Sequence, residues 1–550
     1  MRRVGVLAAV VSLALPVSAW LAPAAWPAVE INSQNPVTAE PPVSRPDTKS
    51  CTETLADRFP SNAADGATQF FSGTLTPPPG CRGPWTKVIL DWTTSVKGRQ
   101  YDRTASLTLG GTTVYYGTTY EPDPASISYH VSKDITGYSA LFRSPQPFSG
   151  GIENYVNSTY DGVYEQTVSV TFYQADRAHP APAEPDRVVG MGIKNTDANA
   201  PTVRFTAADL PRNLVRAYLE VYVKGNGCDE QWFTDVPDDI AAKYPDSLCG
   251  KGPYREVAAS VDGTLAGVTQ YFPYIYTGGI VPTLWRPIPA VGTFDMTPEL
   301  LDITPFVGRL VDGGSHDVAL TVANAGDVWN LGANLLLYVD HRAARTSGAL
   351  TADTIAPGAV TNTTEQPNPD GSIASTMTAA RDWTVSGYVD TSAGRVETSV
   401  TQHVTYRNTG TVADAGWRQD VTQADDGWTR TTTSARGGPV RSSVHTWSYP
   451  ITVSWASQVT DGDNFVLNGS VDMTRRLSDT ENTGSTCSKR AESSDEVSSK
   501  AVFQRSNGQV GQADGAEWQH YAGPDDTGRW YDHYLAAEHG YVTVNRLHTS

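Results

Sequence analysis

Apolar and polar residues alternate along most of the chain, in short runs that Gly-, Pro- and Asp-rich turns separate. A period of two, reinforced by β-branched residues, is typical of strands with one buried face. Only residues 239–244 have a briefly helical pattern. The predicted strands include residues 87–90, 105–109, 113–116 and 167–172, then 216–223, 316–322 and 334–340, and finally 396–406 and 444–455.

Polar and Pro-rich segments divide these strands into three blocks. Closely spaced prolines in residues 179–185 favour extended, unpaired backbone and indicate a linker. Residues 340–372 are polar and rich in Thr and Pro, so we predict a second connection there. Because 550 residues exceed what one core accommodates, we predict a β-sandwich at 51–176, a second at 186–342 and a β-rich C-terminal region at 355–550.

The first two blocks contain the same phrase near their ends. Lys133-Asp-Ile-Thr-Gly-Tyr138 precedes the last strands of the first block, and Leu301-Asp-Ile-Thr-Pro-Phe306 those of the second. A repeated Asp-Ile-Thr-x-aromatic turn predicts two related sandwiches packed side by side. The predicted fold class is therefore all-β, with two antiparallel jelly-roll-like β-sandwiches followed by a third β-rich region.

The N-terminus has the layout of a secretory signal peptide. Two arginines precede an apolar run at residues 4–21, and small residues at 17–19 offer a cleavage site. The run is short for a membrane anchor of about 20 apolar residues, and Pro16 interrupts it. We therefore predict a signal peptide at 1–24 and a secreted protein, with a Pro-rich, disordered leader at 25–50.

The charge balance narrows the possible partners. Acidic residues outnumber basic ones by 59 to 41, for a formal net charge of −18. Such a surface repels nucleic acids and anionic membranes. We expect neither as a partner once the signal peptide is removed, and we expect a monomer.

The five cysteines fit a secreted protein, in which disulfides are the default. Cys51 and Cys81 flank one compact loop, and Cys228 and Cys249 flank another, so we predict these two pairs. Cys487 is then left over. None of the spacings is typical of a zinc site.

Three short stretches carry candidate chemistry. Gly98-Arg-Gln-Tyr-Asp-Arg103 opens a strand, and its Asp and Arg would point to opposite faces, although an isolated surface ion pair explains it equally well. Cys228-Asp-Glu-Gln-Trp-Phe233 can place a carboxylate in a partly desolvated cleft, where its pKa rises; the alternative is a capped loop with solvated acids. Trp285-Arg-Pro-Ile-Pro289, with Phe294-Asp295, indicates a rigid aromatic wall of a sugar site or a plain domain seam.

These stretches resemble the peptide:N-glycanase A family and follow one another in the same order as in that family. The resemblance also includes Thr119-Tyr-Glu-Pro122, the two Asp-Ile-Thr phrases and a pattern over residues 312–340. The resemblance covers residues 51–341 and extends more weakly through the C-terminal block. The first two blocks also resemble the bacterial peptide:N-glycosidase F fold. One departure from the plant-type pattern is Gln231, where those members carry an aromatic residue.

The resemblance implies particular catalytic residues. Tyr101-Asp102-Arg103 matches an aromatic-Asp-Arg phrase that holds an essential aspartate, and Gly227-Cys-Asp-Glu230 matches a Gly-Cys-x-Glu phrase that holds a glutamate. A second glutamate of the first domain has no clean counterpart, although Glu153, Asn154 and Asn157 fall in the corresponding region.

The implied reaction is hydrolysis of the side-chain amide of a glycosylated asparagine in glycopeptides or glycoproteins. Asp102 would position or activate water, Arg103 and Arg286 would stabilise negative charge, and Glu230 would orient the substrate or assist proton transfer. No metal or cofactor is needed. Two alternatives stay open, a glycoside hydrolase that uses Asp102 and Glu230 as a carboxylate pair and a non-enzymatic sugar-binding sandwich. Further substrate-binding candidates are Glu121, Glu153, Asn154, Asp229, Trp232 and Trp285.

Overall fold

The computed structural model describes residues 33–62, 69–122, 126–461 and 464–550. In these ranges the chain forms antiparallel sheets with a few short helical turns, which confirms the predicted all-β class. The predicted signal peptide at 1–24 lies outside the described residues. In the part of the chain that the structure describes, no helix is long and apolar enough to cross a membrane.

The first sandwich consists of two four-stranded sheets that enclose one hydrophobic core. Its strands are β1 (Ser50–Ser61), β2 (Phe70–Leu75), β3 (Trp85–Lys97), β4 (Thr104–Leu109), β5 (Thr112–Thr118), β6 (Ile127–Asp134), β7 (Gln146–Ile152) and β8 (Val163–Gln174). The sheet orders are β1-β8-β3-β6 and β2-β7-β4-β5. Aromatic rings bridge the two sheets, with Trp92 of β3 centred 5.7 Å from Phe71 and 5.0 Å from Tyr115.

The second sandwich has the same two-layer plan. Its strands are β9 (Arg187–Asn195), β10 (Thr202–Ala207), β11 (Leu214–Gly225), β12 (Val257–Val261), β13 (Thr264–Thr269), β14 (Glu299–Asp302), β15 (His316–Val322) and β16 (Trp329–Val339). The sheet orders are β14-β11-β16-β9 and β10-β15-β12-β13. Its helices are α1 (Asp238–Ala241) and α2 (Val307–Leu310), and the 3₁₀ helices of the chain span Pro79–Cys81, Thr136–Arg143, Gly227–Thr234, Thr304–Phe306 and Asp414–Gly416.

The repeated Asp-Ile-Thr phrase has the same structure in both sandwiches. Oδ1 of Asp134 accepts the amide of Thr136 at 2.9 Å, and Oδ1 of Asp302 accepts that of Thr304 at 2.9 Å. The isoleucine between them is buried in each case, and a 3₁₀ helix follows. The phrase ends β6 beside β3 and β14 beside β11. The two sandwiches are therefore related, as the repeat predicts.

A twelve-stranded antiparallel sheet forms the C-terminal region. Its strands are β17 (Ser347–Asp353), β18 (Val360–Pro367), β19 (Ile373–Thr391), β20 (Gly394–Ala413), β21 (Arg418–Ala435), β22 (Arg441–Ser448), β23 (Ile451–Asp461), β24 (Asn464–Thr483), β25 (Thr486–Ser506), β26 (Gln509–Pro524), β27 (Trp530–Glu538) and β28 (Tyr541–Thr549). β17 and β18 lie where the sequence predicted a connection at 340–372. The alternation gave no signal for β18 because all of its residues are exposed.

The segment before β1 differs from its prediction. The Pro-rich composition predicted a disordered leader at 25–50, yet residues 33–49 contact both the sandwiches and the C-terminal sheet. Val37 donates its amide to the Pro287 carbonyl at 3.1 Å, and Ala39, which is fully buried, donates to Oε1 of Gln519 at 2.7 Å. Arg45 pairs with Asp91 of β3 at 2.6 Å. Partners distant in sequence thus order a segment whose own composition favours disorder.

Both predicted disulfides are confirmed. Cys51–Cys81 ties the start of β1 to the 3₁₀ helix before β3, and Cys228–Cys249 closes the loop after β11, with Cα atoms 5.9 and 5.6 Å apart. Cys487 is exposed and outside these pairs.

The Asp425 carboxyl of β21 makes the stability of the fold depend on pH. It is buried, and this burial raises its pKa from 3.8 to about 8, while the indole N–H of Trp447 partly opposes the shift. Because the folded-state pKa is raised, the stabilising contribution is complete below the unfolded pKa and is lost as pH rises through about 8. The unfolding midpoint of the wild type should therefore fall between acidic pH and pH 8, and we expect a smaller fall in Asp425→Asn.

Thermal unfolding over this pH range checks the expectation. Asp420→Asn is the matched control, since Asp420 lies on the same strand with an exposed side chain. Equal pH slopes for wild type and Asp425→Asn would contradict it.

Candidate active site

Asp102 lies in the loop between β3 and β4, which the surrounding chain fixes in place. Gly98 has φ +104°, and a Cβ there would approach Oδ1 of Asp161 to 2.6 Å, so glycine is required. The Gln100 amide donates to the Pro122 carbonyl at 3.1 Å. Asp102 itself is half-buried. The loop thus holds its carboxylate at a defined place on the first sandwich.

Glu230 lies on the 3₁₀ helix that follows β11 in the second sandwich. The Cys228–Cys249 disulfide closes this loop. At the start of this loop, the backbone of Gly225 passes close to the backbone of Asp229. A Cβ atom at position 225 would lie 2.2 Å from the Asp229 carbonyl oxygen, so only glycine fits there. The tight loop directs Glu230 towards the first sandwich.

Three carboxyl groups meet at the seam between the sandwiches. Asp102 acts to raise the pKa of both Glu121 and Glu230, so the three carboxyl groups lie close enough to interact electrostatically. Burial, followed by the negative charge of Asp102, raises the pKa of Glu230 from 4.5 to about 7. The same two causes raise the pKa of Glu121 well above its usual value. The structure thus brings Asp102 and Glu230 together, as predicted, and places the substrate-binding candidate Glu121 with them.

Glu121 is buried and held by the second sandwich. Its backbone amide donates to Oγ1 of Thr277 at 2.9 Å, and its Oε1 accepts the Gly278 amide at 3.0 Å. A Cβ on Gly278 would lie 1.9 Å from Oε2 of Glu121, so no larger residue fits there. Glu121, from the first sandwich, is therefore a structural link across the seam as well as a member of the acid cluster.

Two cations flank the acids. Lys224, at the end of β11, is buried; its Nζ lies 4.2 Å from the Tyr276 ring centre and donates to the Gly225 carbonyl at 2.5 Å. Burial lowers the pKa of Lys224, while Glu230 and the two other acids act in the opposite direction. Arg286 donates from Nη2 to the Glu121 carbonyl at 2.5 Å.

The C-terminal sheet holds the Arg286 loop. Oε1 of Glu517 in β26 accepts the amide of Ile288 at 2.7 Å, two residues beyond the arginine. Thr283 donates from Oγ1 to the carbonyl of Val502 at 3.0 Å. The third region therefore contributes to the position of a cation beside the acids.

Several predicted site residues support the loops instead of facing the acids. Arg103 is buried, and its guanidinium donates to Gln100, Asn154 and the Tyr155 carbonyl at 3.0 to 3.3 Å, so these N–H groups are occupied. Asn154 is fully buried and donates to the backbone carbonyls of Ser61 and Gly162. Glu153 is exposed and accepts a hydrogen bond from the Tyr155 hydroxyl.

Asp229, Trp232 and Trp285 are core residues. Asp229 is fully buried and pairs with Arg255 at 2.6 Å. Trp232 packs against Tyr271 with ring centres 5.3 Å apart, and Trp285 is fully buried with its indole N–H on the Gly279 carbonyl. Their predicted contact with substrate does not fit these positions.

Lys224 and the Thr277–Gly278 turn were absent from the sequence-based candidates. The sequence signal for Lys224 was its position directly after the apolar run Val221-Tyr-Val223, at the end of a strand whose last residues are buried. The turn offered none, because its contact with Glu121 bridges 157 residues of sequence.

The chain is similar in sequence to known proteins. Residues 38–355 match the family described as peptide N-acetyl-beta-D-glucosaminyl asparaginase amidase A, and residues 374–451 match its PNGase_A C-terminal domain. The peptide-N4-(N-acetyl-beta-glucosaminyl)asparagine amidase A of Prunus dulcis is 31% identical over 402 residues, which are 69% of this chain and 70% of that protein.

Two solved structures are similar at lower identity. The structure of PNGF-II is 12% identical with a TM-score of 0.38 and covers 53% of this chain and 65% of its own. PNGase F, a glycosylasparaginase from Flavobacterium meningosepticum, is 13% identical with a TM-score of 0.33 and covers 53% of this chain and 96% of its own. At these TM-scores the structural similarity carries no argument about function. The sequence matches show the family, because one family spans residues 38–355 and the relative is 31% identical over 69% of the chain. The chain therefore belongs to the peptide N-acetyl-beta-D-glucosaminyl asparaginase amidase A family.

Proposed function

We propose that the chain is a secreted glycoamidase that hydrolyses the amide between asparagine and the first N-acetylglucosamine of an N-linked glycan. The observation that carries this proposal is the cluster of Asp102, Glu121 and Glu230, which meets across the seam with Lys224 and Arg286 beside it. Family membership supplies the substrate class. Secretion rests on the N-terminal sequence pattern and on two disulfides, which form in oxidising compartments.

The acids provide the two proton transfers that amide hydrolysis needs. Asp102 accepts a proton from water as the water oxygen attacks the side-chain carbonyl carbon. Glu230, protonated below its raised pKa of about 7, gives a proton to the amide nitrogen as the C–N bond breaks. The products are aspartate in the peptide and a glycosylamine, which later decomposes in water to free glycan and ammonia.

The negative charge that develops on the carbonyl oxygen needs a cation or donor. Arg103 is poorly suited because protein acceptors occupy its N–H groups. Lys224 and Arg286 are better placed although they too donate to backbone carbonyls, since Lys224 acts to lower the pKa of Glu230 and Arg286 that of Glu121, so both interact with the carboxyl cluster itself. We assign the stabilisation of this charge to these two residues.

Product analysis of one defined glycopeptide tests the proposal. An amidase converts the glycosylated Asn to Asp, and in water enriched in heavy oxygen that Asp carries the label. A glycoside hydrolase would leave at least one sugar on an unchanged Asn, and a sugar-binding protein would leave the glycopeptide intact. Either of these outcomes would overturn the proposed function.

The role of Glu230 predicts a particular pH dependence. Because the protonated form is the active one, kcat/KM should fall as pH rises through about 7. We expect Glu230→Gln to lower kcat by roughly 10²- to 10⁴-fold, the usual contribution of general acid catalysis, and to remove this descending limb.

Glu184→Gln is the matched control for this profile. The pKa of Glu184 is also raised to about 7 by burial, but the residue lies in the linker between the sandwiches, beside Trp85. Loss of the limb in Glu184→Gln, or its retention in Glu230→Gln, would contradict the assignment.

A further inference from the structure

A cavity of about 240 Å³ lies directly beside the acid cluster, between the Glu230 loop and the C-terminal sheet. Glu230 and Gln231 line it on one side, and Gln419 of β21 and Trp455 of β23 line it on the other. It is smaller than the pockets of about 300–1,000 Å³ that enclose drug-sized ligands. Its volume suits one ring-sized group next to the reacting acids.

Hydrogen bonds between the Glu230 loop and the C-terminal sheet hold the cavity walls in place before a ligand binds. The indole N–H of Trp455 donates to Oε1 of Gln419 at 2.9 Å, and Nε2 of Gln419 donates to the Thr234 carbonyl at 3.3 Å. At the far end, Oγ of Ser247 donates to the Ala415 carbonyl at 2.9 Å. The C-terminal sheet is therefore a fixed wall of this space, and a ligand would not have to order it.

The chemistry of the walls points to a sugar. A half-buried indole offers an apolar plane, while the carboxylate, amide and hydroxyl groups of Glu230, Gln231, Thr234 and Ser247 offer hydrogen bonds to ring hydroxyls. Among the described residues, no lysine or arginine lines the cavity, which disfavours an anionic ligand. Leu248 is the one aliphatic side chain among them, too little for the apolar pockets that recognise peptide side chains.

We propose that this cavity binds one monosaccharide unit of the glycan next to the scissile amide, so that the C-terminal sheet takes part in substrate binding. The inference rests on the proposed function, because it takes the glycan of that substrate as the ligand. Trp455 supplies the stacking plane. Gln231 lines the same space from the loop that carries Glu230.

Binding to the full chain carrying Asp102→Asn tests the subsite, because this variant does not consume the ligand. Isothermal titration would use three probes, a defined glycopeptide, the free N-glycan and the same peptide without glycan. Adding Trp455→Ala should weaken binding of the glycopeptide and of the free glycan by about tenfold, the loss typical of truncating an aromatic contact in a pocket. Trp530→Ala, which removes a 48% exposed indole from β27 of the same sheet, should leave both unchanged.

Hydrogen exchange supplies a measurement that needs no cavity variant and therefore holds if Trp455→Ala does not fold. Free glycan should protect backbone amides of residues 227–234 and of the strand around Gln419 in the Asp102→Asn chain. Absence of this protection, or unchanged glycan affinity in a folded Trp455→Ala chain, would overturn the subsite.

The two proposals fail in different ways. If wild type cleaves no amide but Trp455→Ala still weakens glycan binding, the proposed function is wrong and the subsite stands. If wild type releases glycan while Trp455→Ala binds it normally, the proposed function stands and the subsite is wrong.

Discussion

Asp102→Asn should abolish glycan release while leaving the protein at least as stable as the wild type. The substitution keeps the shape of the side chain but removes its capacity to take a proton from water. General base catalysis contributes about 10²- to 10⁴-fold, so kcat should fall by that factor. A burst or steady-state assay of aspartate formation on one glycopeptide would measure the loss.

The stability argument follows from the crowding of the acids. Asp102 is a main cause, after burial, of the raised pKa values of Glu121 and Glu230, so its negative charge and the charged forms of the two glutamates repel one another in the folded state. Removing one of them relieves this repulsion, and the unfolding midpoint of Asp102→Asn at neutral pH should stay level or rise. Stability traded for activity in this way is common at catalytic sites.

Asp161→Asn is the matched control for Asp102→Asn. Asp161 supports the same loop by accepting the Arg99 amide at 2.9 Å, but it is exposed and lies outside the acid cluster. An asparagine there keeps the oxygen acceptor, so activity should be retained. Full activity in Asp102→Asn would refute the assigned role of Asp102, and equal inactivity of the two variants would mean that the loop, not the carboxylate, matters.

The alternation of apolar residues predicted strands such as β4 and β8, in which buried and less buried positions alternate over most of the length. It failed for β18, which is exposed on both faces, and for residues 33–49, whose order depends on partners such as Gln519 and Pro287 far along the chain. Local composition carries no information about partners of that kind. The prediction therefore failed where a strand buries neither face and where order depends on partners distant in sequence.

For the candidate site, too, the sequence predicted some residues correctly and missed others. Asp102 and Glu230 were predicted from short motifs and do meet at the seam. Asp229 was predicted as a further substrate-binding residue, but it directly precedes Glu230, and successive residues of a 3₁₀ helix point in directions about 120° apart. Asp229 therefore faces the core and Arg255, whereas Glu230 faces the acids. Lys224 lies near Glu230 through the local fold of β11 and its following loop, but Asp102 and Glu121 approach it only through the packing of the two sandwiches.

Arg255→Met should cause the largest loss of stability among single changes near the site. Arg255 is fully buried and pairs with both Asp229 and Asp235 at 2.6 Å. Removing one partner of a buried ion pair costs about 3–5 kcal/mol, because the remaining charge is left uncompensated in the core. Here two carboxylates would remain, and the negative charge of Asp229 already acts with burial to raise the pKa of Asp235 well above its usual value.

Arg255→Met should also lower the catalytic rate. Asp229 directly precedes Glu230, and its Oδ2 also accepts the amides of Gly326 and Asp327 at 2.7 and 3.0 Å. Release of Asp229 would loosen the 3₁₀ helix that aims Glu230 across the seam. We therefore expect a lower urea midpoint and, at temperatures where the variant is still folded, a lower kcat.

Two further variants separate the charge effect from simple loss of packing. Arg204→Met breaks an exposed pair with Asp317, whose side chains are 66% and 43% exposed, and should change the unfolding free energy by no more than about 1 kcal/mol. Adding Asp235→Asn to Arg255→Met removes one uncompensated carboxylate and should restore part of the urea midpoint. If the double variant is no more stable than Arg255→Met alone, lost packing explains the effect and the argument from buried charge is wrong.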